Sequence, residues 1–219
     1  FVAAFRQYGL PAAIRTDNGA PFASTAIAGL SRLAVWWIKL GIVAERIEAG
    51  HPEQNGRHER MHRTLKQEVA MPPAPDRRAQ QRALEDFRRE YNEVRPHEAL
   101  GMQTPASVYE PSERAYPAKV PEPEYPSTML VRSVHSHGHF RWKKRHDVFL
   151  SEVLWGERVG LLPIDERWYM VYFAELPLAR FDSWQRRVLP LPPAKNPKRE
   201  KVAEPAGFYI AEAGEEEVS

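Results

Sequence analysis

The sequence predicts a mixed α/β region followed by a small all-β module, and three observations carry that expectation. Up to about residue 110, helical and strand patterns alternate. From Glu110 to Ser127 proline recurs at 111, 117, 121, 123 and 126. Beyond that, short runs rich in aromatic and β-branched residues follow one another between turn signals. The proline-rich stretch sustains no helix and reads as an extended, semi-rigid spacer. The expected organisation is an α/β region over 1–110, a linker over 111–127, a small closed barrel over 128–185, and a disordered tail over 186–219.

Phe1 to Tyr8 reads as the end of a helix stopped by Gly9 and Pro11. Its apolar start, without an initiator methionine, leads us to expect further chain upstream. Ala12 to Thr16 is a strand that delivers Asp17 to its carboxyl end, where the Asn18-Gly19 pair turns the chain. Ser24 or Thr25 is expected to cap a helix whose apolar residues Ile27, Leu30, Leu33, Trp37 and Leu40 recur at helical spacing, with Gly41 ending it. Ile42 to Ile47 is a short strand and Glu48 to Gly56 a loop. Arg57 to Ala70 is a helix, Asp76 caps another reaching about Val94, and Thr104-Pro105 opens a last short turn. In the β region, strands are expected at Met129–Val131, His139–Trp142, Val148–Leu150, Arg158–Leu162, Trp168–Phe173 and Leu178–Phe181.

Bulk properties bound the function. At 219 residues and 42% hydrophobic the chain can bury a real core, and its net charge of +2 does not by itself announce a nucleic-acid binder. Charge distribution says more, since basic residues cluster at 57–66, 77–89, 141–145 and 195–201. The lack of cysteine excludes disulfides and thiolate metal sites and fits a reducing compartment. No apolar run is long enough for a membrane span, and no signal-peptide layout opens the chain.

Two carboxylates stand out. Asp17 closes a strand, and Glu59 lies one turn into its helix with Arg63 and Lys66 at i+4 and i+7 on the same face. A carboxylate flanked by cations on one helix face suits a metal ion bound beside a phosphate backbone. Glu53 and Glu68 are nearby rivals to Glu59. His58-Glu59-Arg60-Met61-His62 also fits the H-E-x-x-H zinc pattern, but Arg57, Arg60 and Arg63 crowd the same turn and disfavour a dication. His135, His137 and His139 alternate, yet Gly138 marks that stretch as a hairpin tip. Arg141, Lys143, Lys144 and Arg145 around Trp142 form a basic patch that suits DNA backbone, with the ring packing on sugar or base.

Three segments together resemble a known family. They are Thr16-Asp17-Asn18-Gly19 with Phe22, then Pro52-x-Gln54-Asn55-Gly56-x-x-Glu59-Arg60 with Thr64-Leu65-Lys66, and finally Tyr91-Asn92-x-x-Arg95-Pro96-His97-x-Ala99-Leu100 with Thr104-Pro105. They look like the integrase core of DDE transposases, which insertion-sequence transposases and retroviral integrases share, and they occur in the family's order over about the first half of the chain. The resemblance implies an α/β ribonuclease H-like integrase core, here truncated at its N-terminus, followed by a small Src-homology-3-like barrel.

The implied activity is DNA transposition by metal-dependent phosphodiester cleavage and strand transfer, with Mg²⁺ or Mn²⁺ as cofactor. The implied partners are transposon ends and target DNA, bound by a homo-oligomer in the cytoplasm at the nucleoid. Asp17 matches the family's second catalytic Asp and Glu59 its Glu, both as metal ligands, while Arg63 and Lys66 fall where DNA contacts would lie. The first Asp has no counterpart, because Asp17 is the first acidic residue in the sequence. The chain by itself is therefore expected to be inactive. The alternatives are a non-catalytic DNA-binding remnant and a zinc hydrolase working through His58 to His62. For Arg95-Pro96-His97 a structural role is expected.

Overall fold

The computed structural model describes residues 1–47, 56–143 and 145–191. Their contacts divide into two units. One comprises Phe1–Arg46 with the chain from Arg114 on, and the other is Ile47–Glu113.

In the first unit, helix α1 (Val2–Tyr8) stops at Gly9, whose φ of 80° is open to glycine and costly for other residues. Strand β1 (Ala13–Thr16) pairs in parallel with β2 (Val43–Arg46), Ala13 opposite Val43 and Thr16 opposite Arg46. Parallel neighbours require a crossover, and helix α2 (Arg32–Lys39) supplies it. The expected start of this helix at Ser24 or Thr25 is corrected by the structure. Ser31 is the cap, its hydroxyl accepting from the Ala34 N–H at 3.1 Å. The reason is a left-handed break at Ala28 (φ 51°) and Gly29 (φ 66°), after a single short turn at Ile27–Gly29. Ser24 serves that loop instead, donating to the Leu30 carbonyl and accepting from the Ala26 N–H.

The β module holds seven antiparallel strands in the order β5-β4-β3-β6-β7-β8-β9. They are β3 (Leu130–His135), β4 (His139–Arg141), β5 (Asp147–Phe149), β6 (Arg158–Pro163), β7 (Trp168–Phe173), β8 (Leu176–Asp182) and β9 (Arg187–Pro190). The edge strands β5 and β9 come together, so the sheet curls into a nearly closed barrel. The last strand corrects the expectation of a tail from residue 186. Arg187–Pro190 is an edge strand, a position where its terminal proline removes no ladder bond.

Gly138, φ 76°, makes the β3–β4 turn possible. Its carbonyl accepts from the Leu150 and Ser151 N–H groups at 2.8 and 3.1 Å, and a Cβ there would run into the Ser151–Glu152 backbone.

Two cores meet on α2. Trp37 joins Phe5, Leu10, Leu40 and Ile42, while Ala34 and Val35, with Ile27 and Leu30, are continuous with barrel residues such as Phe140, Leu154 and Phe181. Polar contacts reinforce the second seam, with Lys39 bridging Glu157 at 2.9 Å and Glu122 at 3.1 Å, and Arg32 donating to the Trp155 carbonyl. The proline-rich segment is stitched in as well. Arg114 donates to the carbonyls of Pro11, Leu40 and Gly41, and the Tyr125 hydroxyl links Arg158 to Ala174.

The second unit is a pair of helices with a short extension. Helix α3 (Gly56–Leu65) continues as a wider π-type turn over Lys66–Ala70. Asp76 caps α4 (Arg77–Arg89), accepting from the Ala79 N–H at 2.8 Å, and this helix also widens over Glu90–Val94. Helix α5 (Pro105–Val108) begins with proline at its first position, capped by Thr104. Met61, Leu65 and Val69 of the first helix pack on Phe87 and Tyr91 of the second.

Candidate functional site

Asp17 follows β1 directly. The strand end is fixed by the parallel ladder and by Thr16, which is buried and donates from its hydroxyl to the Glu45 carbonyl at 3.4 Å. The Asp17 side chain is exposed, and its Oδ1 accepts from the Gly19 N–H at 2.9 Å. A Cβ at Gly19 would stand 3.2 Å from that oxygen, so glycine lets the turn close tightly around the carboxylate. Phe22, the aromatic of the same motif, stacks on Trp37 with centroids 6.2 Å apart, and its carbonyl accepts from the Ser31 hydroxyl at 3.0 Å. The turn that carries Asp17 is thereby tied to the core through α2.

Glu59 lies in the first turn of α3. Residues 61, 65 and 69 face α4, and at 100° per residue Glu59, Arg63 and Lys66 fall on the opposite side of the helix, where all three are exposed. Among the described residues no hydrogen bond or ion pair engages Glu59. Asp17 therefore stands in the first unit and Glu59 in the second, each exposed on its own support.

The rivals are placed as follows. Glu68 is committed to Arg95 at 3.0 Å, and the same guanidinium reaches Glu90 at 3.1 Å. These two carboxylates hold the Arg95 charge above its ordinary range, against the desolvation that opposes it. Glu53 falls outside the described residues, as does the His58 side chain of the zinc pattern, while His62 is exposed. His97 is buried, its Nε2 3.2 Å from the Tyr91 carbonyl and its ring edge-on to Tyr91. Arg95 and His97 are thus occupied in fastening the end of α4 to the segment before α5, a structural task.

On the barrel, Arg141 is exposed and binds Asp147 at 3.1 Å. That hydrogen bond holds the Asp147 carboxyl below its usual range. His135 is 3.3 Å from the same carboxylate, so His135 belongs to the rim around the hairpin. Among the described residues no three His, Asp or Glu side chains gather as a metal cage. Lys143 is exposed, and Lys144 lies outside the described residues.

The expectation for Trp142 is corrected. Only 6% of it is exposed, and its ring meets Tyr169 and Phe181 edge-on at 4.9 Å each. It follows Phe140 by two residues, so both point to the core side of the sheet. Sequence reasoning missed a second feature. On strands β7 and β8 and the turns that flank them, Trp184, Arg167, Trp168 and Arg180 stack in alternation. Their spread from 167 to 184 leaves no local motif, and only the unusual density of Trp and Arg there could have drawn attention.

Comparison with known proteins bears on the carboxylates. Residues 40–105 match the family described as integrase core domain, a segment that includes Glu59, Arg63, Lys66 and Arg95 but not Asp17. Over 105 residues the chain is 37% identical to the insertion element IS476 uncharacterized 39.2 kDa protein of Xanthomonas euvesicatoria, covering 48% of this chain and 28% of that protein. Over 104 residues it is 35% identical to the insertion element IS407 uncharacterized 31.7 kDa protein of Burkholderia multivorans (strain ATCC 17616 / 249), covering 47% of this chain and 35% of that protein. The chain thus spans about a third of the length of the curated relatives it matches. With the exposed carboxylate at the strand end and the exposed Glu59 face of α3, these matches lead to one conclusion: the chain carries a segment of the integrase core domain family at residues 40–105 and is similar to insertion-element proteins over about half of its length.

Proposed function

We propose that the chain supplies part of the catalytic centre of a DNA strand transferase, a ribonuclease H-like core in which Asp17 and Glu59 are metal-binding carboxylates. The observation that carries this reading is the setting of Asp17: exposed at the carboxyl end of a parallel strand, one oxygen pinned by the Gly19 N–H, in a chain whose residues 40–105 match the integrase core domain. Its second oxygen and the Glu59 carboxylate are hard donors of the kind that Mg²⁺ and Mn²⁺ prefer. Such ions, when bound, neutralise charge on the attacking and leaving oxygens of an in-line displacement at phosphorus.

The protein's own groups do the positioning. Gly19 orients Asp17, the contacts of Met61, Leu65 and Val69 orient α3, and Arg63 and Lys66 on the Glu59 face hold the phosphate backbone. The barrel, of Src-homology-3-like type, adds backbone contacts through Arg141, Lys143 and Lys144. Trp142 is not among them, because its ring is in the core. DNA, as transposon ends and target, is the partner, engaged by an oligomer.

Asp17→Asn and Glu59→Gln, made separately, are each expected to weaken Mn²⁺ binding several-fold in calorimetric titration. Unchanged Mn²⁺ binding by both variants would overturn the assignment of these two carboxylates as metal ligands. Residues 1–219 offer counterparts for two of the family's three carboxylates, Asp17 and Glu59. These residues alone are accordingly expected to show no strand transfer with Mn²⁺ and pre-cut ends, and clear transfer would show that the ligands are misassigned.

A further inference from the structure

We propose that the end of the barrel built by the turns at 163–168 and 182–187 binds an unpaired stretch of DNA strand, with a base stacked on Trp184 and phosphates held by Arg180 and Arg187. The inference rests on the reading that the chain binds DNA, and it assigns the contact to the 163–168 and 182–187 turns rather than to Arg141.

Four side chains form a layered stack. The Arg167 guanidinium lies 5.4 Å from the Trp184 ring centroid and 5.1 Å from that of Trp168, and Arg180 lies 4.6 Å from Trp168 on the next layer. Trp184 is 66% exposed, a large flat apolar surface with no core contact to explain it. A broad exposed indole face of this kind offers apolar area and a polarisable ring for recognition.

The stack is held rigid from below. Arg167 donates from Nε to Asp182 Oδ2 at 2.9 Å and also from Nη2 to the same oxygen, and Asp182 is almost fully buried. The other oxygen of Asp182 accepts from the N–H groups of Trp184 and Gln185, both at 3.0 Å. Asp165 Oδ1 accepts from the Arg167 and Trp168 N–H groups, and the Ser183 N–H donates to the Arg167 carbonyl at 2.9 Å. Both turns are fixed before any ligand arrives, so little ordering entropy is lost on binding.

Charge selects the ligand. Asp182 cancels Arg167, which leaves the inner cation to orient the indoles. Arg180 and Arg187 are exposed and have no ion pair among the described residues. Arg186 donates to the His146 ring at 2.9 Å, which joins this end to the 143–146 turn and its exposed Lys143 and Arg145. Asp165, committed to backbone N–H groups, and Glu166 are the opposing carboxylates at this end. An exposed indole on the same turn as Arg187, with Arg180 stacked on the neighbouring Trp168, fits a chain of phosphates and bases. Duplex DNA keeps its base faces stacked on one another, so only an unpaired nucleotide can offer one to Trp184.

The test uses the full 219-residue chain and fluorescence anisotropy of a labelled oligothymidylate and a duplex of equal length at low salt. Trp184→Ala is expected to weaken single-strand binding roughly tenfold, the size of one lost base–aromatic contact. Duplex binding should stay within about twofold, and Trp184→Phe should retain most of the affinity. Arg180→Gln should reduce single-strand binding and flatten its salt dependence. If the unaltered chain binds duplex but Trp184→Ala leaves single-strand binding unchanged, this inference fails alone. If the unaltered chain binds neither probe, the DNA reading fails with it.

Discussion

Asp17 and Glu59 stand on very different supports. Asp17 leaves a strand end embedded between two cores, both anchored on α2, and the turn that holds it is tied to that helix through Phe22 and Ser31. Glu59 rides on a helix fastened to one neighbour by Met61, Leu65 and Val69 around two buried rings, Phe87 and Tyr91. Burial sets local opening free energy, so the Asp17 turn is held by contacts to the buried Trp37 and to Ser31, and the Glu59 helix by the two-ring seam of Phe87 and Tyr91.

The comparison breaks most readily at Phe181, fully buried and in contact with both Phe140 and Trp142. Phe181→Ala is expected to cost about 3–5 kcal/mol in denaturant unfolding. Phe87→Ala should instead expose the amides of α3 and α4 to hydrogen exchange while those of β6 to β8 stay protected. If Phe181→Ala melts α4 at the same denaturant concentration, the two supports are one cooperative block.

Next in size is Asp182→Asn. Arg167 and two backbone N–H groups depress the Asp182 carboxyl from 3.8 to about 2, with the Arg167 hydrogen bond the largest cause. A depressed acid stabilises the fold above its unfolded pKa, and that contribution is lost as pH falls through the folded value. The unaltered barrel should therefore lose stability between about pH 4 and pH 2. Asp182→Asn should melt several degrees lower near neutrality, with a flatter acid limb in the same thermal scans.

A smaller effect is expected in the other support. Arg95→Gln removes two ion pairs to partly exposed carboxylates, a loss of about 0.5–1 kcal/mol, seen as faster exchange near Glu90–Val94. Smallest of all, Arg141→Gln should leave the unfolding midpoint essentially unchanged, since both it and its partner Asp147 are exposed. Its readout is the salt slope of DNA binding, which should fall by about one phosphate contact.

Much of this was legible wherever the signal is local. Asp76 and Thr104-Pro105 mark helix starts because capping chemistry is written within four residues, and Asn18-Gly19 marks its turn the same way. The break at Ala28-Gly29 was not legible, since Ile27, Leu30 and Leu33 keep helical spacing straight through it. Trp142 was misjudged although the alternation with Phe140 contained the answer, because the neighbouring cations drew the reading toward the surface. Arg187–Pro190 hid behind its prolines. The placement of Asp17 at a strand end and of Glu59 on a helix was legible in local motifs, whereas the Trp184 stack and the seam between α2 and the barrel arise from residues far apart in sequence.

That seam has a consequence for the order of synthesis. Ile27, Leu30, Ala34 and Val35 emerge from the ribosome about a hundred residues before the first strands that cover them. The α3–α4 pair and α5, whose contacts are local, are complete in the interval. At common elongation speeds of about 5–20 residues per second the apolar side of α2 waits roughly 5–20 seconds for its partner. During that window the nascent chain presents a sticky helix face, one that a chaperone would have to shield and that nonlocal pairing must close last.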